Sequence, residues 1–100
     1  MSVAATMART RGWTPLGDLT VRALEHTGGR IAHIEISPHD APARLVVRLV
    51  DATGAVDLVF LGRRMVAGLE PGVVVSVEGR VAASDDVPVI FNPRYQLCAT

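Results

Sequence analysis

The chain contains no lysine and a single cysteine, Cys98. An internal disulfide and a cysteine-rich zinc site are therefore excluded. Aromatic residues amount to 4%: Trp13, Phe60, Phe91 and Tyr95. General single-strand binders interleave several exposed aromatics with cations, so any binding of that kind should be weak here. Charge of one sign is missing too, since ten arginines balance ten acidic residues to a formal net charge of zero. Any basic site must then come from local arrangement, not bulk charge. No apolar run approaches the roughly 20 residues that span a bilayer. Arg9 and Arg11 follow the weakly apolar Val3, Ala4 and Ala5, the reverse of a secretory leader. The expectation is a cytoplasmic protein with no membrane association.

Catalytic patterns are also missing. His33-Ile34-Glu35 matches the start of a zinc deaminase motif, but the Pro-Cys-x-x-Cys half is absent. His26, His33 and His39 have no known metal-ligand spacing, and Cys98 has no evident base beside it. No glycine-rich phosphate loop occurs. The sequence predicts neither an enzyme nor a cofactor or metal site.

What is present is a globular composition, 49% hydrophobic over 100 residues, sized for one domain. Residues 1–12 are small or polar without periodicity and should form a flexible N-terminal tail, leaving 13–98 as a single domain. Thr14-Pro15 and Asp18 suit a short helical turn over 15–19, and strand follows from about Val21. The five strands are predicted over Gly29–Ile36, Arg44–Asp51, Ala55–Leu61, Val73–Ala82 and Pro88–Leu97. Asp51-Ala52-Thr53-Gly54 is a tight turn, and Ser37 to Pro42 is a loop with two prolines. Gly28-Gly29 and Gly79 mark bulges or sharp bends. Gly62 to Gly68 fits a short helix. Five strands with a helix between the third and fourth predict an all-β, five-stranded OB-fold Greek-key barrel. An SH3-like barrel lacks a place for that helix, and an immunoglobulin-like sandwich needs about seven strands.

Several segments carry a family likeness. Leu49-Val50-Asp51-Ala52-Thr53-Gly54 resembles the strand-turn of the anticodon-binding type of OB-fold. Together with Leu61-Gly62-Arg63-Arg64, Gly68-Leu69-Glu70-Pro71-Gly72, Val77-Glu78-Gly79-Arg80-Val81 and Asn92-Pro93-Arg94-Tyr95, it looks like the small OB-fold nucleic-acid-binding domain proteins of actinobacteria. The resemblance spans roughly residues 14–97 and implies single-stranded nucleic acid, DNA or RNA, as partner. Where that family commonly presents a stacking aromatic, this chain has Val46. The implied binding therefore has little sequence specificity.

Strand parity selects the candidates. With Val47, Leu49, Val56, Leu58 and Phe60 inward, Arg44, Val46, Arg48 and Val50 face outward, as do Asp57, Val59 and Leu61. Arg44 and Arg48 lie where phosphates would be met, unless they pair with Asp57. Arg63 and Arg64 cannot share a face; one should lie over the barrel while the other reaches solvent. Arg94 and Tyr95 add a cation and an aromatic, although Tyr95 also suits closure of the barrel. The strands alternate imperfectly, so Val46, Val50, Val59 and Leu61 should be covered. The cover would be the segment carrying Trp13, Leu16 and Leu19, a protein partner, or a second subunit in a homo-oligomer. The alternative function is accordingly a protein–protein module using the same barrel face.

Overall fold

The computed structural model describes residues 12–98, so the tail predicted over 1–12 lies, Gly12 apart, outside the described residues. The chain is all-β, with strands β1 (Leu24–Ile36), β2 (Arg44–Val50), β3 (Ala55–Leu61), β4 (Val74–Ala82), β5 (Val89–Phe91) and β6 (Arg94–Leu97). Five of them close a ring. β1 pairs antiparallel with β2 and β2 with β3; β3 pairs parallel with β5; β5 and then β4 run antiparallel back to β1. β6 continues along β4 beyond β5, also antiparallel.

Alternation along the strands fills the ring. Val47, Leu49, Val56, Leu58, Val75 and Ile90 are fully buried, each such side chain contributing about 1.5–3 kcal/mol. Leu16 joins this core from a single 3-10 turn at Leu16–Asp18, within the span where a helical turn was expected. β1 runs unbroken through Gly28 and Gly29, starting earlier than Gly29, because their missing side chains leave room for Trp13 and Leu16. A Cβ at Gly28 would overlap the Trp13 ring. The bulge falls instead between Ile31 and His33.

Two further expectations are corrected. The helix predicted over Gly62–Gly68 does not form; among the described residues the chain has no α-helix. Both bounding glycines adopt positive φ, +81° at Gly62 and +79° at Gly68, which end regular structure within seven residues. The segment instead inserts Val66, and Leu69 just after it, into the core. The strand predicted over Pro88–Leu97 is two strands. Asn92 takes φ +49° and Pro93 has no N–H to give, so the pairing breaks there and resumes along β4 with its register slipped by one residue.

The β2–β3 turn is held by one carboxylate. Asp51 Oδ1 accepts from the Thr53 N–H (2.7 Å), the Thr53 hydroxyl (2.6 Å) and the Gly54 N–H (2.9 Å). Its Oδ2 accepts the Leu16 N–H at 3.0 Å, and Thr53 Oγ1 accepts the Gly17 N–H at 2.8 Å. Burial alone would push the Asp51 carboxyl up, but these donors outweigh it and hold it below its ordinary value. The Asp-x-x-Gly turn thus also clasps the N-terminal segment.

Candidate nucleic-acid interface

The pairing register lays out the outer face of β2, β3 and β5. Arg44 sits opposite Leu61, Val46 beside Val59 and then Phe91, Arg48 beside Asp57 and then Val89, and Val50 opposite Ala55. The outward parity of the candidate residues therefore holds, but their availability differs.

Arg48 is spoken for. Its Nε donates to Asp57 Oδ1 at 2.6 Å and its Nη2 to Asp57 Oδ2 at 3.0 Å and Asp86 Oδ2 at 2.7 Å. The hydrogen bond to Asp57, then that to Asp86, raises its pKa above the ordinary guanidinium value. One cation between two carboxylates leaves a local charge of −1, so this spot repels phosphate. Arg64 is also committed: its Nη2 donates to the carbonyls of Pro38 (2.9 Å), His39 (3.3 Å) and Ala41, tying the loop before β2 to the segment after β3. Tyr95 is half-buried, its hydroxyl donating to the Ala67 carbonyl at 3.1 Å and its ring meeting Phe60 edge-on at 6.0 Å. It packs against the core beneath the segment after β3 and also lines the cleft flanked by Arg63 and Arg94.

Arg44, Arg63 and Arg94 remain. All three are exposed, and among the described residues no carboxylate lies within ion-pair distance of any of them. Arg63 and Arg94 flank an open cleft of about 510 Å³ whose walls include Phe60, Leu61, Asn92 and Pro93. Arg44 adjoins it across the Leu61 pairing. Leu61 is 51% exposed. Asn92 fixes this rim, since its Oδ1 accepts the Leu61 N–H at 2.9 Å.

Val46 and Val50 are half-buried and Val59 is buried, while Leu61 is open. The segment from Trp13 to Leu19 is spent elsewhere: Trp13 packs on Gly28 and with Val74, and Leu16 beside Gly29. Two residues escaped the sequence reading. Phe91 is 53% exposed beside Val59, a position that follows from Ile90 pointing inward. Asp86 gave no signal, because nothing in a turn of Ser84-Asp85-Asp86 says that it reaches back 38 residues to Arg48. Among the described residues, no three His, Cys, Asp or Glu side chains gather as a metal site, and no helix is long and apolar enough to cross a membrane. No protein-family model, curated protein or solved structure matches the chain.

Proposed function

We propose that this chain is a small OB-fold module that binds single-stranded nucleic acid weakly and with little sequence specificity. The observation that carries the reading is the trio Arg44, Arg63 and Arg94, unpaired among the described residues, around a cleft with one apolar wall. Phosphates would lie along the guanidiniums while bases rest on Leu61. The strand order, a β1-β2-β3 meander with β5 parallel to β3 and β4 closing onto β1, supports the OB-fold assignment. The actinobacterial family likeness points the same way.

Three phosphate contacts on a single strand give a slope of about −2 in log affinity against log salt. Fluorescence anisotropy with oligo-dT and oligo-U should thus show binding at about 20 mM salt that falls roughly 100-fold by about 200 mM. Arg63→Ala with Arg94→Ala should weaken both ligands alike. Absence of binding at the lower salt would refute the reading. A second reading, a protein-binding face, draws on the neutralised Arg48 and the apolar row Val46, Val59 and Phe91. It predicts self-association by light scattering that Leu61→Glu abolishes.

A further inference from the structure

A second cleft lies around the ring from the first, between β5, the end of β4 and the segment before β1. It has a volume of about 540 Å³, and Val21, Arg22, Arg80, Ala82 and Phe91 form most of its wall. Val21 is 42% exposed and Phe91 53%, so apolar surface faces the opening from both sides. The only side chains in the wall that can donate hydrogen bonds are the two arginines, and no carboxylate is among the lining residues.

Arg22 is set there at a backbone cost. Its φ is +76°, a left-handed conformation that non-glycine residues seldom take. Three hydrogen bonds enforce it. The Arg22 N–H donates to the Val81 carbonyl at 2.7 Å, the Val81 N–H donates to Ala23 at 3.0 Å, and Arg80 Nη1 donates to the Arg22 carbonyl at 2.6 Å. The turn thereby sets Arg22 in the cleft wall with Arg80. Among the described residues the Arg22 guanidinium has no partner.

From this arrangement we infer that the cleft docks an acidic peptide segment carrying aliphatic or aromatic side chains. Apolar side chains of the segment lie against Val21, Ala82 and Phe91, while its carboxylates meet Arg22 and the free donors of Arg80. The guanidiniums would serve phosphate and carboxylate alike, but a wall made, apart from them, of Val21, Val81, Ala82, Ala83 and Phe91 selects a peptide over a nucleic acid. The wall holds no side-chain acceptor that could read a base edge, and its apolar surface suits branched aliphatic groups. Nothing in the cleft overlaps the Arg63 and Arg94 site, so both ligands can be held at once.

The test is anisotropy of a fluorescein-labelled peptide alternating aspartate with leucine, against the same peptide with lysine replacing aspartate. The acidic peptide should bind at low salt and the basic one should not. Arg22→Gly suits the left-handed turn, so the variant should melt no lower than the parent while binding the acidic peptide at least about tenfold more weakly. Phe91→Ser should weaken it similarly. Binding of the acidic peptide that is indifferent to Arg22→Gly and Phe91→Ser overturns the proposal, as does equal binding of the basic peptide. Loss of oligo-dT binding alone in Arg22→Gly would assign the cleft to nucleic acid. A dimer broken by Phe91→Ser, with no peptide binding, would assign it to a second copy.

Discussion

Removing the half-buried Asp51 carboxylate should cost this domain more than its position in a turn suggests. Of its four donors, the Leu16 N–H belongs to a residue 2% exposed and anchored in the core. Hydrogen bonds to a charged acceptor are worth about 1.5–3 kcal/mol, and that donor has no ready replacement. The Thr53 and Gly54 donors can turn to water, so they add about 0.5–1 kcal/mol together. Asp51→Ala should thus destabilise by about 2–4 kcal/mol, which for a domain of this size lowers the melting temperature by roughly 10–20 °C. Asp51→Asn should fall between the two. Its carbonyl oxygen can keep the turn, but its amide then presents a donor to the Leu16 N–H.

The pH dependence carries a sign that a generic loss of packing would not. The folded carboxyl titrates below its ordinary value. Its contribution is complete above the unfolded pKa of about 3.9, declines below it, and is gone once the pH has fallen through the folded pKa. The stability gap between the parent and Asp51→Asn, followed by urea melts, should be constant from about pH 7 to 5 and narrow on further acidification. A melting temperature for Asp51→Ala within about 3 °C of the parent, or a gap that widens in acid, would refute the clasp.

Other consequences follow from single contacts. Asp86→Asn removes a carboxylate from Arg48 and should raise oligo-dT affinity more than Asp85→Asn, which changes the charge equally without touching Arg48; equal gains by anisotropy would mean that only net charge matters. Gly28→Ala should lower the melting temperature by overpacking against Trp13, at a cost of about 1–3 kcal/mol, and adding Trp13→Val should cost less than the sum of the two.

The ring was legible where side chains alternate. Val47, Leu49, Val56, Leu58 and Phe60 are inward as the period of two requires, and the Asp51 turn follows from its own local chemistry. The segment after β3 was not legible, because its form is set by Val66 and Leu69 entering the core, and Gly62 and Gly68 can as easily bound a loop as a helix. The break at Asn92-Pro93 was present in the residues themselves. A proline in the middle of a strand argues against that strand, and here it marks where the chain leaves β3 and continues along β4 alone.

The candidate site divides by position along the strands, and this division has a physical cause. Arg48 sits mid-strand, directly opposite Asp57, where cross-strand geometry brings opposite charges together. Arg44 opens β2, Arg94 opens β6 and Arg63 follows β3, so each stands at a strand end, and Arg94, although it faces Glu78 across the pairing, lies outside ion-pair distance of it. A chain of zero net charge can therefore neutralise its cations within the sheet and still keep a few unpaired at the rim. Sequence parity places Arg44 and Arg48 outward alike. Only the acids that Arg48 reaches, Asp57 nearby and Asp86 distant in the chain, separate it from Arg44, unpaired among the described residues.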